Sequence, residues 1–385
     1  MTGWLSPGHP ISGLTFFVNG QGLGGCMMLY HLYDSVDELL APETLTRLIG
    51  QPVQYVRCLP KSGGFSGSHL LTVETNNGAT NGRFVLKRMA SQWDWLMNST
   101  ADRHCRSVTL WQAGFLDQLQ PSIDHAILAC ACDGDGWAIL MRDVTPTLLG
   151  ERIFTAKEVY CSLDAMAVLH ATFWDMPGLE EPTLGLCDTL GIVRTFSPEI
   201  ARRIPSTTSI LPKASCEGWE LLQAMIAPDV LGLLQQLVLD PQPLCAALAR
   251  YPKTLVHGDY RGMNAGIRWQ NPPQVVLLDW QLAGCGAATI DLAWFINQPR
   301  VRLSPVTTEA GIAYYRQRLA EQLGSRFDGE SWEPLLNLGL LANILRMGCF
   351  TAWFILHSED ETEPPILRKT LHLFNQQARM ASKWL

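Results

Sequence analysis

Val256-His-Gly-Asp-Tyr-Arg-Gly-Met-Asn264, followed by Val275-Val-Leu-Leu-Asp-Trp-Gln281, brings together residue types suited to phosphoryl chemistry. An Asp lies two residues after His257, an Asn five after that Asp, and a second Asp fifteen beyond the Asn, where an expected strand ends. Phosphoryl transfer needs one carboxylate to orient an attacking hydroxyl and accept its proton. It also needs an amide oxygen and a second carboxylate to hold the magnesium that neutralises the phosphates. Any one of these residues alone reads as part of a surface loop. The full set at this spacing, closed by a strand ending in Asp, favours a catalytic loop.

The pattern H-x-D-x-x-x-x-N followed by strand-Asp resembles the catalytic loop and metal Asp of the protein-kinase-like superfamily. His257-Gly258-Asp259, Asp279-Trp280-Gln281 and Ile290-Asp-Leu-Ala-Trp-Phe295 are more closely similar to its aminoglycoside phosphotransferase and choline kinase branch. The resemblance covers residues 50–355 and is most specific over 256–295. It implies an α+β, protein-kinase-like two-lobed fold, with a small antiparallel β-sheet N-lobe carrying one helix and a larger, mainly helical C-lobe. It implies ATP and Mg2+ as cofactors and a hydroxyl on a small molecule as acceptor. By the same resemblance Asp259 is the catalytic base, and Asn264 and Asp279 are metal ligands. Arg261 would stabilise charge on the transferring group. His257 would buttress the loop, and Asp291 would open a helix and hydrogen-bond the catalytic loop.

The amino-terminal half fits this expectation. Ser62, Gly63, Gly64, Ser66, Gly67 and Ser68 lie in a loop between two expected strands, where backbone N–H groups and the hydroxyls of Ser66 and Ser68 suit ATP phosphates. Lys87, in Arg83-Phe-Val-Leu-Lys-Arg-Met89, sits where the branch places its phosphate-binding Lys. Met141-Arg-Asp-Val144, with Met141 and Asp143, would form the hinge, whose backbone groups meet adenine. One departure stands out: the branch pairs its Lys with a Glu on the next helix, and this chain has Arg106-Ser107 there. Asp102 is the nearest carboxylate in that expected helix, on a shorter arm. An unpaired Lys87 would leave ATP less firmly held, so a catalytically weak or inactive nucleotide-binding pseudokinase is the alternative reading.

The elements that must position these residues follow from hydrophobic period and punctuation. Ser35 caps an expected helix running to about Leu48. Strands are expected over 53–59, 69–75 and 83–89, the last two joined by an Asn76-Asn-Gly turn, then a helix over 102–119 and strands over 126–132 and 137–141. Beyond residue 143 the pattern becomes helical, with helices expected over 157–174, 218–237, 305–323, 331–357 and 365–383 and two short strands over 266–269 and 275–278. Residues 176–217, rich in Pro, Ser and Thr, are expected to be irregular. This divides the chain into an extension over 1–27, a nucleotide-binding lobe over 28–142 and a catalytic and acceptor lobe over 143–385. The extension has no Lys or Arg, hence no secretory n-region, and a start at Met27 or Met28 would remove it. His170, on an amphipathic helix, is expected to pack rather than catalyse.

Composition sets the outer limits. The chain has 385 residues, 47% of them hydrophobic and 17% charged, which excludes a mostly disordered protein. A net charge of −7 with no basic block argues against nucleic acid or an anionic membrane as the main partner. Apolar runs such as Val275 to Leu278 are far shorter than a membrane span needs. Eleven scattered cysteines, odd in number and without a CxxC pair, suit buried thiols in a reducing cytoplasm rather than disulfides or a zinc site. Only about nine residues separate Asp279-Trp-Gln from the next expected helix, so there is no room for a long activation segment that would dock a protein substrate. Acceptor identity and oligomeric state are left open.

Overall fold

The structure, a computed structural model, describes residues 29–61, 64–76, 81–298, 303–359, 361 and 363–385. The expected extension over 1–27, Ser62, Gly63 and the turn residues Asn77 and Gly78 lie outside them. Strand β1 (Leu32–Tyr33) leads into helix α1 (Val36–Leu39), where the Ser35 Oγ accepts from the Glu38 N–H at 3.1 Å and caps the first turn. The single helix expected to Leu48 is two helices, because Pro42 opens α2 (Pro42–Ile49). Proline has no N–H and its ring excludes the preceding turn, so it starts a helix rather than continuing one.

Strands β2 (Tyr55–Lys61), β3 (His69–Asn76) and β4 (Asn81–Met89) follow as an antiparallel meander. Short helices α3 (Trp95–Ser99) and α4 (Arg106–Gln112) come next. The helix expected from Asp102 to Leu119 is therefore shorter than its pattern. Asp102 stands before it, and its carboxylate accepts from the Arg106 N–H at 3.0 Å. After β5 (Ile123–Asp124), strands β6 (Ile127–Asp133) and β7 (Gly136–Arg142) complete a six-stranded sheet in the order β1-β6-β7-β4-β3-β2. Its two central strands put Lys87 opposite Ile139, on the face that turns toward the helical half.

The helical half begins with α5 (Ala156–Thr172), opened by a Thr155–Glu158 capping box. The segment expected to be irregular holds α6 (Thr189–Arg194), α7 (Pro198–Arg203) and the start of α8 (Leu211–Met225). Its polar residues are caps: Asp188 and Ser197 accept from the N–H groups of Gly191 and Ile200. The helix expected over 218–237 is likewise two, with α9 (Pro228–Leu239) restarting at a proline. Helix α10 (Gln242–Leu248) precedes β8 (Thr254–Val256). Strands β9 (Ala265–Arg268) and β10 (Gln274–Leu277) form a hairpin beside β5, and β11 (Gly284–Gly286) pairs with β8.

Helices α11 (Thr289–Ile296), α12 (Thr308–Leu323), α13 (Trp332–His357) and α14 (Glu363–Ala381) close the chain. Helix α13 is long and apolar enough to cross a membrane, but 89% of its most apolar stretch is buried in the protein. It is the central core helix of this half, packed by α8, α11 and α14. At the α8 crossing, a Cβ on Gly218 would lie 2.1 Å from the Cys349 carbonyl oxygen, so the two backbones can meet only at a glycine. The cysteines among the described residues are all free thiols.

Candidate active site

The catalytic loop leaves β8 and turns at Gly258, whose φ of +76° and whose closeness to the Leu282 carbonyl (2.0 Å from an added Cβ) leave no room for a side chain. Asp291, fully buried at the start of α11, ties the turn down. It accepts from the backbone N–H of His257 at 2.6 Å and of Gly258 at 2.8 Å, and meets His170 Nε2 at 3.2 Å. Burial raises its carboxyl, but the hydrogen bond and charge of His170, with His257, hold it below the ordinary aspartate range. Tyr315 contacts the other His170 nitrogen at 2.6 Å, so His170 positions the anchor and does not touch the cleft.

His257 Nδ1 accepts from the Asp259 N–H at 3.2 Å, which leaves its proton on Nε2, 2.9 Å from the Leu278 carbonyl. One imidazole thus fixes the backbone before both key carboxylates. Burial pushes its pKa down and keeps it neutral.

Asp259 receives three hydrogen bonds: Trp294 Nε1 donates to Oδ1 at 2.9 Å, and Asn264 Nδ2 and Arg261 Nε donate to Oδ2 at 2.7 and 3.2 Å. Asn264 spends its Nδ2 on this contact, so its Oδ1 is the atom free for a cation. Asp279 follows β10 in a left-handed conformation, φ +64°, a strained state for a residue other than Gly or Asn. Its Oδ1 lies 2.8 Å from Lys87 Nζ. Burial raises this carboxyl, but Lys87, with Arg261, holds it below the ordinary range.

Lys87 has further polar company. Its ammonium donates to Gln281 Oε1 at 2.6 Å, and Gln281 Nε2 donates to Asp94 Oδ2 at 3.0 Å. Asp94 is fully buried, caps α3 through the Met97 N–H and accepts from the Ser66 hydroxyl at 2.9 Å. Burial raises its carboxyl, against the pull of Lys87. Asp102 is not the partner of Lys87. It serves the α4 backbone and stands 3.6 Å from Arg106, which itself donates to the carbonyls of Gly185 and Gln281. Ser107 is buried, and the partners of Lys87 are Gln281 and Asp279 rather than a residue of α4.

Gly64, Ser66, Ser68, Lys87, Met141, Asp143, Asp259, Arg261, Asn264 and Asp279 all line one cleft of about 990 Å³. Gly67 lies between Ser66 and Ser68 in the same turn. The Asp143 carboxylate is already engaged by the Thr145 N–H at 3.0 Å and by Arg83 at 3.0 Å. Among the described residues there is no cluster of three or more His, Cys, Asp or Glu for a metal. One carboxylate and one amide oxygen are the hard donors magnesium takes when phosphates and water supply the rest, so the residues fit that ion.

Trp294, Gln281, Asp94 and His170 are the site residues that sequence reasoning missed or set aside. Of these only Trp294 and Gln281 lay inside a motif already singled out.

Residues 202–335 match the phosphotransferase enzyme family, the kind of family the motif resembles. The match contains Asp259, Asn264, Asp279 and Asp291. No curated protein matches the chain in sequence. Among solved structures, the chain is similar to a choline kinase from Streptococcus pneumoniae, at 12% identity, with 90% of this chain and 99% of that one covered and a TM-score of 0.46. It is also similar to an ethanolamine kinase from Plasmodium vivax, at 14% identity, with 83% and 82% covered and a TM-score of 0.44.

Proposed function

We propose that this chain, a phosphotransferase by the family of its catalytic segment, moves the γ-phosphoryl group of ATP to a hydroxyl of a small molecule. The observation that carries the reading is the convergence of Asp259, Asn264, Asp279 and Lys87 on one cleft, each held by its own network. When bound, ATP supplies the phosphoryl group and Mg2+ neutralises its charge, with Asp279 and Asn264 Oδ1 as ligands. Asp259 orients the acceptor hydroxyl and takes its proton as the oxygen bonds to phosphorus and the bond to the ADP oxygen breaks. Trp294 and Asn264 fix the carboxylate for that task. Arg261, which reaches Asp259 in this geometry, is placed to share charge on the group in transit. Lys87 and the turn from Gly64 to Ser68 hold the phosphates, and the backbone from Met141 to Asp143 meets the adenine. The alternative of an inactive nucleotide binder rested on Ser107. Lys87 is paired without a Glu at that position, so no feature of the geometry favours it. The free thiols suit a reducing compartment, and we place the protein in the cytoplasm.

The test is the melting temperature with ATP, with and without magnesium, for the wild type and for Asp279→Asn, which keeps the size of the side chain and tolerates its left-handed backbone. A ligand at 100 times its Kd that binds only the native state adds about 2.7 kcal/mol. A magnesium-dependent rise in the wild type that is lost in the variant is the expected result. No rise in the wild type at millimolar ATP sinks the proposal.

A further inference from the structure

Beyond Asp259 the cleft changes character. Helix α13 turns Met347, Phe350, Phe354 and His357 along one stripe toward it, at the spacing of a single helical face. Phe196 meets Phe350 edge to face, with centroids 4.9 Å apart and planes at 84°, and lines the same wall. Leu211 and Ala214 of α8, the helix packed beside α13, line it too.

Charge is sparse here. The carboxylates lining the whole cleft, among the described residues, are Asp143, Asp259, Asp279, Glu151 and Glu359. The first three are taken up by hinge, base and metal positions, and the last two are exposed. Glu217 does not line the cleft; it accepts from Trp353 Nε1 at 2.9 Å and stands 3.8 Å from Lys213. A polycation needs several unpaired carboxylates, and a polyol needs a donor or acceptor for each hydroxyl. Among its described residues this wall offers His357 and Ser358 at one end and apolar side chains elsewhere, and any apolar body placed on those is removed from water.

We infer that the acceptor is an alcohol with a bulky apolar or aromatic body, seated against Phe196, Met347 and Phe350 with its hydroxyl at Asp259. The inference rests on the phosphotransferase reading of the same cleft. The transfer it describes is balanced: the alcohol oxygen gains the phosphoryl group, ADP leaves and the alcohol proton passes to Asp259. Each methylene the acceptor buries on this wall is worth about fourfold in affinity.

The experiment uses the full chain with magnesium-ATP and four probes: hexan-1-ol, 4-phenylbutan-1-ol, choline and the polycation kanamycin. Binding is read by tryptophan fluorescence and transfer by ADP release and mass spectrometry of the phosphorylated product. The expected result is saturable binding and phosphorylation of the phenylbutanol, with kcat/KM at least tenfold above choline and kanamycin and several-fold above hexanol. Ile210→Glu places a charge on an exposed residue at the edge of this wall, so its fold is kept, and it is expected to weaken the phenylbutanol about tenfold. Preference for choline or kanamycin overturns the inference. So does a lack of saturable binding of both alcohols while magnesium-ATP still binds, and that result leaves the phosphotransferase reading standing. Failure of the wild type to bind magnesium-ATP overturns both.

Discussion

The three donors on Asp259 leave it little freedom to turn, so its replacement tests chemistry more than shape. Asp259→Asn keeps the size of the side chain and removes its basicity. Transfer is expected to fall by about 10²–10⁴ with the magnesium-ATP affinity close to wild type, and the melting temperature is expected to drop, because the new amide nitrogen faces a donor that the carboxylate had satisfied. Calorimetry beside a product assay checks both. Gln281→Leu acts on the other side of the cleft. It takes an acceptor from Lys87 and a donor from Asp94, two buried groups whose lost partners cost about 1–3 kcal/mol each. The Kd for ATP is expected to rise about tenfold, with a lower melting temperature. Ser107→Glu, which restores the residue the family resemblance leads one to look for, is expected to destabilise the protein without tightening ATP, because position 107 is buried and Lys87 is already served. Nucleotide titrations of both variants decide the point. The contrast shows why some of this site is legible in sequence and some is not. Asp259, Asn264 and Asp279 announce themselves through local spacing. Asp94 and Gln281 meet across 187 positions, and a cap residue that doubles as a relay to the active-site lysine looks like any other helix cap.

At the scale of elements, the strands of the sheet could be read closely from their alternation and turn signals, and the helices less so. Pro42 and Pro228 sit inside apolar patterns that continue across them, and each divides one expected helix into two. Asp188 and Ser197 look like loop composition and are caps. The loop after β8 carries its own pH dependence. His257 is held neutral, with a folded pKa below its ordinary value of 6.5, so the unfolded chain takes up a proton first as pH falls. The loop's contribution is complete above that value and declines as pH drops from it toward the lower, folded pKa. Aspartates 291, 259 and 279 face the ring and oppose the shift without cancelling it. The melting temperature is expected to fall between pH 7.5 and 5.5, and His257→Gln, though less stable at pH 7.5, is expected to fall less steeply. A parallel decline in both proteins would mean that the proton goes elsewhere, for which the partly buried His125, also shifted down, is the first candidate.

For the molecule as a whole, the α8–α13 crossing decides where the far wall of the cleft stands. Gly218→Ala forces the two helices apart at Cys349, one residue from Phe350, and overpacking of this kind costs about 1–3 kcal/mol. Affinity for the acceptor is expected to suffer while ATP affinity holds, since the nucleotide is bound from the other side; paired titrations of the two ligands test this.

The cleft is continuous from Met141 to Phe350, and Asp259 and Asp279 both open onto it. Two substrates that meet in one space have no need to hand the phosphoryl group to the protein in between. The reaction order then follows: both substrates must be aboard before either product departs. Double-reciprocal plots of rate against one substrate, at several fixed levels of the other, should intersect rather than run parallel, and a chiral phosphoryl group should emerge with its configuration inverted.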